Sequence, residues 1–498
     1  MEFKVIVDAK ARSASGCAVV GVYENGELGA AARHLDEQIG GIIGRLHTAG
    51  DFAAKLGDTL LLPHPQGAAA ERVLLVGLGP RASYGRKAYR KALQASTLAL
   101  AKTGAADAII YLSQEDIPAM DMSSRARAAA ELISSQMYKI PDLKTGAKPK
   151  AAKLATVSLA ADSARSTKSL AAGLRIGAAI AHGAALARDL GNLPPNICTP
   201  TYLGERAESL AKEWPRIKTK VLGESEIKDL KMGAFLAVTQ GSAQPPRLIV
   251  CEYRGGRKGA PPICLIGKGI TFDSGGISLK DPPGMDEMKF DMGGAAAVLG
   301  ALRSVAELGL PLNVVGIVPA CENLPDGKAV KPADIVTSMS GQTVEILNTD
   351  AEGRLILCDA ITYSRRFKPA AVVDVATLTG ACIIALGHHL SGLMSNSDAF
   401  AEEILAASER ADDRAWHMPI GEEYADQLRS NFADFANVGG REGGACTAAT
   451  YLSKFAQDLT WAHLDVAGTA WVGGSHKSST GRPVPLLVEI LIHRSPRR

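Results

Sequence analysis

The amino-acid sequence predicts an α/β protein with two domains, the larger of which contains a mostly parallel central sheet. The chain has 498 residues, a length that suggests two to three domains. Short β-rich runs alternate with helix-like runs, and apolar strands in such a series indicate a parallel sheet covered by helices on both faces. A segment rich in Lys, Ala, Pro and Ser at residues 140–166 separates one such series from the next.

Residues 1–165 are predicted to form the smaller, N-terminal α/β domain. Strands are expected at residues 3–7, 18–23, 59–62, 73–76, 108–112 and 154–159. Helices are expected at residues 86–103 and 124–137. Residues 168–190 are alanine-rich and almost uninterrupted, which predicts a long helix that connects the two domains.

Residues 166–498 are predicted to form the larger, C-terminal α/β domain. Strands are expected at residues 218–222, 247–253, 263–266, 312–318, 370–375 and 463–466. Helices are expected at residues 202–214, 224–230, 294–308, 354–365, 399–412 and 445–458. Active sites in parallel sheets lie outside the carboxyl ends of the strands. The segments that follow residue 266 and precede residue 354 are therefore candidates to meet at one site.

Composition argues against several classes of function. The formal net charge of +3 is small for this length and gives no general case for binding nucleic acid or an anionic membrane. The eight cysteines are scattered without a C-x-x-C pair, as expected of buried thiols in a reducing cytoplasm. The first residues lack the apolar region of a signal peptide. No apolar run of about 18 residues is free of charges, so no membrane span is expected.

Residues 348–355 read Asn-Thr-Asp-Ala-Glu-Gly-Arg-Leu, and this octapeptide concentrates charge in a short segment. In extended backbone, Asp350 and Glu352 would share a face and aim at one point. Arg354 would add a fixed positive charge that suits a carboxylate-like anion. The alternative is a capping box, Thr349-x-x-Glu352, at the start of an apolar helix. Taken alone, the octapeptide favours this structural interpretation.

A second polar stretch, residues 267–291, decides between the two interpretations. It follows an apolar run, and its first part is expected to be a glycine-rich loop leaving a strand. Its aspartates, converging with the two carboxylates of the octapeptide, would repel one another unless cations lay among them. Oxygen ligands suit Mg²⁺, Mn²⁺ or Zn²⁺, and a pair of such ions promotes hydrolysis. The polar residues in question are Lys268, Asp273, Lys280 and Asp291.

These segments closely resemble the leucyl (cytosol) aminopeptidase family of dinuclear metallopeptidases, whose signature is the octapeptide. The likeness is carried by residues 267–280, 291–294, 348–355 and 374–381, and it extends from residue 192 to residue 483. The N-terminal part resembles the family only loosely. The resemblance implies an N-terminal domain like a macro domain and a C-terminal catalytic domain. It further implies release of N-terminal amino acids, preferentially leucine and similar apolar residues, from peptides.

The resemblance also implies the ligands of two divalent ions per subunit, with Mn²⁺ or Zn²⁺ expected and Mg²⁺ as a further candidate. Asp273 and Glu352 match the bridging ligands. Lys268 and Asp291 match the ligands of the tighter ion, and Asp350 matches a ligand of the more exchangeable one. Lys268 can bind a metal only as the neutral amine, and a nearby dication favours loss of its proton.

Two further residues match the catalytic groups of the family that do not bind metal. Lys280 is expected to stay charged and polarise the scissile carbonyl. The residue that matches Arg354 holds a bicarbonate ion, which acts as the general base. Met288, Thr377 and Gly380 match the lining of an apolar substrate pocket. Ordinary core packing is the alternative interpretation of Met288.

The resemblance implies a homohexamer that acts on peptides with a free amino terminus. Some bacterial relatives also bind DNA, so an architectural role on DNA is the alternative function. The near-neutral charge gives that alternative little support. A two-metal phosphoesterase is a third hypothesis, against which the lysine ligand and the octapeptide argue.

Overall fold

The computed structural model describes residues 1–141, 143–146 and 153–496. The chain divides into two compact units, Met1–Ala181 and His182–Arg498. The division falls inside one long helix, Ala164–Asn192, which includes the predicted connecting helix 168–190. The domain boundary after residue 165 stays a prediction, because the helix that carries it is continuous.

The N-terminal unit is a sheet with helices. Its strands are β1 (Glu2–Val7), β2 (Ala18–Tyr23), β3 (Thr59–Pro63), β4 (Arg72–Gly79), β5 (Asp107–Ile110) and β6 (Thr156–Ala161). Its helices are α1 (Ala30–Gln38), α2 (Ile42–Ala49), α3 (Arg86–Leu100) and α4 (Met122–Met137), and α5 (Ala164–Asn192) begins in it. The strand order is β1-β6-β5-β2-β4-β3, and β3 pairs antiparallel with β4. The sequence analysis missed α1 and α2, which are short and have glycine at their caps.

Helix α5 is the one helix in the described part of the chain that is long and apolar enough for a membrane span by length and composition. Within the N-terminal unit, two of its glycines lie against the backbone of α4. A Cβ at Gly173 would come within 2.0 Å of the carbonyl oxygen of Ser123, and one at Gly177 within 2.5 Å of that of Arg127. These two glycines therefore permit close packing of α5 against α4.

The C-terminal unit contains the remaining elements. Its strands are β7 (Ile217–Leu222), β8 (Arg247–Arg254), β9 (Ile263–Gly267), β10 (Gly269–Asp273), β11 (Asn313–Asn323), β12 (Asp334–Thr337), β13 (Thr343–Ile346), β14 (Ala371–Ala376), β15 (Ser391–Ser395), β16 (Ala415–His417), β17 (Phe435–Ala436), β18 (Trp461–Asp465), β19 (Trp471–Val472) and β20 (Ser478–Ser479). Its helices are α6 (Pro200–Glu213), α7 (Glu224–Asp229), α8 (Gly233–Thr239), α9 (Gly293–Leu308), α10 (Gly353–Ser364), α11 (Gly380–Leu386), α12 (Asp398–Ala411), α13 (Glu422–Ala425), α14 (Gly444–Ser453) and α15 (Val484–Arg494).

The main sheet of this unit has the strand order β16-β15-β18-β14-β9-β11-β8-β7, with β10 beside β11. The central strands β18, β14, β9 and β11 run parallel. Helices α9 and α10 cover opposite faces of this sheet. Gly316 of β11 lies against Val298 and Leu302 of α9. Its neighbours Val315 and Ile317 lie on the other face and pack in the core cluster that includes residues of α10. Every position of β9 and β14 is buried, as expected for such strands.

The expectation of a simple loop from residue 267 onward was wrong in its first part. After one intervening residue, Lys268, the chain continues as β10, in which Gly269 pairs with Ala320 and Asp273 with Asn323. Strand β11 is also longer than predicted and includes Pro319. Glycine and proline weaken a strand pattern, and only pairing with a distant segment reveals that these residues are extended.

Candidate metal centre

The five predicted metal ligands converge at the carboxyl ends of the central strands. They are Lys268 after β9, Asp273 at the end of β10, Asp291 ahead of α9, and Asp350 and Glu352 ahead of α10. One carboxylate oxygen from each of Asp273, Asp350 and Glu352 lies within 4.8 Å of those of the other two. Three oxygens at this spacing can reach a single divalent cation placed between them.

Lys268 joins two of these carboxylates in the interior. Its Nζ lies 2.8 Å from Asp291 Oδ2 and 2.8 Å from Glu352 Oε1, and it donates to the carbonyl oxygen of Thr377 at 3.1 Å. Burial by itself lowers the pKa of Lys268, but the surrounding carboxylates outweigh burial and raise the pKa overall. A dication among these carboxylates would reverse that balance, because it neutralises their charge and repels the ammonium proton.

Asp273 is held in place by three donors. Its Oδ1 accepts hydrogen bonds from Asn323 Nδ2 at 2.8 Å and from the backbone N–H of Gly275 at 2.9 Å. Its Oδ2 lies 2.9 Å from Nζ of Lys280, which also pairs with Asp350. Burial lowers the pKa of Lys280, yet the neighbouring carboxylates, Asp273 first, raise it overall. Lys280 is therefore an ammonium ion beside the carboxylate cluster.

Several carboxylate oxygens in the cluster lack a hydrogen bond although they are buried. They are Asp291 Oδ2, Asp350 Oδ1 and both Oε atoms of Glu352. Three of these oxygens lie at ion-pair distance from a lysine, namely Asp291 Oδ2 and Glu352 Oε1 from Lys268 and Asp350 Oδ1 from Lys280. Burial, together with the charge of Asp273, raises the pKa of Glu352 to about 6. Four carboxylates here share two lysines, and uncompensated negative charge in the interior is costly, so this cluster fits a bound divalent cation.

The octapeptide adopts neither of the two conformations considered from its sequence. Residues 349–350 form a turn, and Glu352 has helical backbone angles (φ −78°, ψ −34°) at the N-cap of α10. Thr349 does not form a capping box, because its Oγ1 donates to the carbonyl oxygen of Gly275 at 2.6 Å. A turn rather than an extended segment therefore brings Asp350 and Glu352 to the same place.

Arg354 is buried in the first turn of α10. Its Nη1 donates to the carbonyl oxygen of Asn437 at 2.7 Å, whereas its Nε has no hydrogen-bond partner. Burial lowers the pKa of Arg354 to about 10. Asn437 also donates through Nδ2 to the carbonyl oxygen of Asn348 at 2.7 Å. The guanidinium is thus fixed next to the octapeptide and keeps one donor for a small anion.

A cavity of about 390 Å³ opens onto this cluster. The three predicted pocket residues, Met288, Thr377 and Gly380, all line it. Met288 is half-buried rather than packed in the core, so the alternative interpretation of this residue is not supported. Apolar side chains that the sequence analysis did not single out complete the wall, namely Leu378, Ile383, Ala467 and Trp471.

Sequence reasoning missed two polar residues that support the cluster. Asn323 ends β11 and holds Asp273, and Asp465 ends β18 and holds the loop that follows β14. Each stands at the carboxyl end of a strand in a largely parallel sheet. That position is the signal that could have identified them.

A buried ion pair lies within the sheet, on β14 and β18. Nδ1 of His463 is 2.5 Å from Oδ1 of Asp374, and the indole N–H of Trp461 donates to Oδ2 of Asp374 at 2.6 Å. Burial lowers the pKa of His463, but the charge of Asp374 and the hydrogen bond to it raise the pKa overall. The pair therefore links two neighbouring strands through side-chain hydrogen bonds as well as through backbone hydrogen bonds.

A largely parallel sheet that gathers buried carboxylates, a buried lysine and a cavity at its carboxyl edge defines a metal-dependent α/β hydrolase. Residues 185–488 match the cytosol aminopeptidase family, catalytic domain, and residues 19–147 match the cytosol aminopeptidase family, N-terminal domain. The chain belongs to the cytosol aminopeptidase family. The resemblance inferred from the octapeptide is thus confirmed, and so is the two-domain α/β fold.

Individual relatives agree with this assignment. A protein of Paraburkholderia phymatum named probable cytosol aminopeptidase is 53% identical over 481 residues, which cover 97% of this chain and 95% of that protein. A mutant of tomato leucine aminopeptidase superposes with a TM-score of 0.87 at 32% identity, covering 99% of this chain and 96% of that one. The bottromycin maturation enzyme BotP in complex with Mn gives a TM-score of 0.83 at 34% identity, with coverages of 96% and 99%. This chain is an aminopeptidase, a hydrolase of a metal-dependent peptidase family.

Proposed function

We propose that this enzyme releases leucine and similar apolar residues from the amino termini of peptides, with two divalent metal ions at the cluster. The observation that carries the proposal is the set of buried carboxylate oxygens without hydrogen bonds beside the cavity. The two lysines offset only part of the negative charge of the four carboxylates, so divalent cations are expected there, and a cavity next to them is where a substrate would meet those cations.

The ligand assignment follows the family resemblance and is compatible with the geometry. Lys268, Asp273, Asp291, Asp350 and Glu352 would hold the two ions, with Asp273 and Glu352 matching the ligands that the ions share in the family. Mn²⁺ and Zn²⁺ are the favoured ions, and Mg²⁺ is the third candidate. The BotP structure in complex with Mn supports Mn²⁺. When bound, the ions would supply Lewis acidity and would lower the pKa of a water toward about 7.

The two catalytic side chains act by charge. Lys280 remains protonated, because its side chain, unlike that of Lys268, is partly exposed to solvent and is not a proposed metal ligand, and it therefore donates hydrogen bonds to the scissile carbonyl oxygen as negative charge develops there. Arg354 would hold a bicarbonate ion, which would supply a general base at this position. Its buried Nε without a partner supports this role, because a guanidinium pairs well with a carboxylate-like anion.

The cavity accounts for the substrate preference. Met288, Thr377 and Gly380 form a wall that receives a side chain of leucine size, and the free α-amino group of the substrate lies near Asp291. An internal peptide bond offers no such amine, so cleavage is limited to the amino-terminal residue.

We place the active enzyme in the cytoplasm as a homohexamer. The cytosol aminopeptidase names of the relatives support the location, and the family resemblance supports the assembly. Light scattering on the purified protein measures the oligomer, and a monomer would remove this part of the proposal. The alternative of a DNA-binding architectural role rests on resemblance alone, and the small net charge of +3 gives it little support. Absence of a gel shift at low salt would remove that alternative.

The deciding experiment compares three chromogenic substrates with Mn²⁺ present. Leucine-p-nitroanilide should be hydrolysed, whereas N-acetyl-leucine-p-nitroanilide should not, because acetylation removes the charged amine. p-Nitrophenyl phosphate should not be hydrolysed, whereas its hydrolysis would favour the phosphoesterase hypothesis. Exhaustive chelation should abolish the activity, and Mn²⁺ or Zn²⁺ should restore it. Equal rates with the acetylated substrate, or full activity after chelation, would contradict the proposal.

A further inference from the structure

We propose that Asp465 is a positioning residue, whose carboxylate fixes the position of the loop of residues 377–380. Through this loop it orients two proposed metal ligands, Lys268 and Asp291, and places one wall of the substrate cavity. The part of this inference that concerns substrate choice rests on the proposed function, in which the cavity receives the substrate side chain. The part that concerns Lys268 and Asp291 depends only on their binding a metal ion.

The carboxylate of Asp465 accepts three hydrogen bonds, two of which come from this loop. Asp465 is 1% exposed and ends β18, where it pairs in register with Ala376, the last residue of β14. Its Oδ1 accepts hydrogen bonds from the backbone N–H groups of Leu378 at 3.3 Å and Ala467 at 3.1 Å. Its Oδ2 accepts a hydrogen bond from Oγ1 of Thr379 at 2.7 Å. A single side chain thus fixes the loop through both its backbone and a side chain.

The same loop contacts two of the proposed metal ligands. The carbonyl oxygen of Thr377 accepts a hydrogen bond from Nζ of Lys268 at 3.1 Å. Oγ1 of Thr377 donates to Oδ1 of Asp291 at 2.6 Å. A shift of the loop would therefore move the acceptor that orients the lysine and the donor that orients the carboxylate. Groups of this kind commonly tune a metal site, because they fix the orientation of its ligands.

The loop is also a wall of the cavity. Thr377, Leu378, Thr379 and Gly380 line the cavity, whereas Asp465 does not. Oγ1 of Thr379 in addition accepts a hydrogen bond from the backbone N–H of Cys382, so the start of α11 is tied to the same carboxylate. Asp465 therefore acts on a substrate in the cavity only through the residues that it holds.

An amide cannot replace this carboxylate without loss. In Asp465→Asn, one oxygen still accepts from the backbone, but the NH₂ group replaces an acceptor with a donor that faces the hydroxyl of Thr379. The hydrogen bond that Thr379 donates to the carboxylate, one of the two by which Asp465 holds the loop, would be lost, and the loop would adjust its position. Misplacement by about 1 Å at a reacting centre can reduce the rate about 10²-fold.

The experiment uses full-length Asp465→Asn and a matched control, Asp359→Asn. Asp359 is also a fully buried carboxylate, and it accepts backbone hydrogen bonds from Phe235 and Met339 away from the cavity. Both variants are analysed by thermal unfolding, by calorimetric titration with Mn²⁺, and by kcat and KM for leucine- and alanine-p-nitroanilide. If Asp465 only stabilised the fold, the two variants would behave alike.

We expect Asp465→Asn to bind Mn²⁺ about 10- to 100-fold more weakly than the wild type. We also expect its kcat/KM for the leucine substrate to fall about 10²-fold, with a smaller loss for alanine, so that the leucine preference narrows. Asp359→Asn should lose thermal stability but keep the Mn²⁺ affinity and the preference of the wild type. A folded Asp465→Asn with unchanged Mn²⁺ affinity and unchanged preference would overturn the proposal.

A second pair of variants decides the matter if Asp465→Asn does not fold. Thr379→Val removes the hydroxyl that donates to Asp465, whereas Thr379→Ser retains it. The valine variant should bind Mn²⁺ more weakly and show a narrower preference for leucine over alanine. The serine variant should stay closer to the wild type in both respects. Equal behaviour of the two would overturn the proposal. A wild-type protein without activity on leucine-p-nitroanilide would remove the proposed function, but the Mn²⁺ titration would still decide the role of Asp465.

Discussion

A Cβ atom placed on Gly353 would lie 2.8 Å from Nζ of Lys268 and equally close to its Cε. The backbone at the start of α10 therefore lies directly against the buried lysine at the end of β9. This contact explains why glycine follows Glu352 in the octapeptide. A side chain at this position would occupy the space in which the lysine approaches its carboxylate partners.

We expect Gly353→Ala to weaken metal binding while the fold is kept. The added methyl group cannot be accommodated unless Lys268 moves, and Lys268 is held by Asp291, Glu352 and Thr377. The affinity for Mn²⁺ should fall about 10- to 100-fold, as for other changes that disturb ligand orientation. Gly327→Ala is the matched control, because a Cβ there meets no atom within 4 Å. Equal Mn²⁺ affinities for the two variants in calorimetric titration would contradict this prediction.

Removal of a ligand carboxylate should abolish the activity altogether. Asp350→Ala and Glu352→Ala each take away oxygens that the acidic cluster places within 4.8 Å of one another. Loss of either should leave a protein that folds but does not hydrolyse leucine-p-nitroanilide at any Mn²⁺ concentration that the assay allows. Circular dichroism and gel filtration verify the fold. Turnover at the wild-type rate in either variant would count against metal catalysis.

Substitution of Lys280 should act on the chemical step. Lys280→Ala removes a positive charge that the structure places against Asp273 and Asp350 at the cavity. Loss of one preorganised donor to a developing oxyanion typically reduces kcat about 10²–10³-fold. Steady-state kinetics with leucine-p-nitroanilide give the value. Lys331→Ala, which breaks a surface ion pair with Asp334, is the control, and a similar kcat in the two variants would remove the proposed role of Lys280.

Local patterns predicted the strands β9 and β14 and the helices α9 and α10, because their apolar residues recur with a regular period. Two short polar stretches, by their resemblance to the family, indicated five candidate metal ligands, which the structure brings together. Local patterns could not predict β10, because its glycine-rich sequence becomes a strand only by pairing with β11. Asp465 and Asn323 were missed for a related reason. Their partners are distant in the sequence, so neither residue stands out in its own segment.

The buried pair of His463 and Asp374 was likewise not predicted, because it forms only when strands β14 and β18 pair. Because the folded protein raises the pKa of His463 above its unfolded value of about 6.5, the folded state binds the imidazole proton more tightly than the unfolded chain does. The resulting stabilisation is complete below about pH 6.5 and is lost as the pH rises through the raised pKa. The charge of Asp465 adds to the rise in the pKa of His463, and the charge of Arg354 opposes it.

We therefore expect His463→Gln to be destabilised more strongly at pH 6 than at pH 9. Breaking a buried ion pair costs about 3–5 kcal/mol, because it leaves one charge without its partner. Denaturant unfolding of the wild type and the variant at both pH values measures the difference in the free energy of unfolding. His417→Gln, at an exposed position, is the control. A difference that does not change between the two pH values would show that the imidazole is not charged in the fold.

The residue at position 380 should limit the size of the substrate side chain that the cavity accepts. Gly380 lines the cavity at the start of α11, and a Cβ built there meets no atom within 4 Å. Gly380→Val should therefore fold normally and place its methyl groups in the space that a leucine side chain would occupy. Alanine, which is shorter, should still fit.

Pocket contacts of one methylene group discriminate substrates by about 10- to 200-fold, because each buried group contributes to binding of the transition state. The ratio of kcat/KM for leucine-p-nitroanilide to that for alanine-p-nitroanilide should fall by at least about tenfold in Gly380→Val. Gly327→Val, at another glycine where a Cβ meets no atom within 4 Å, should leave the ratio unchanged. If both variants keep the wild-type ratio, the substrate side chain does not enter this cavity, and the leucine preference must arise elsewhere.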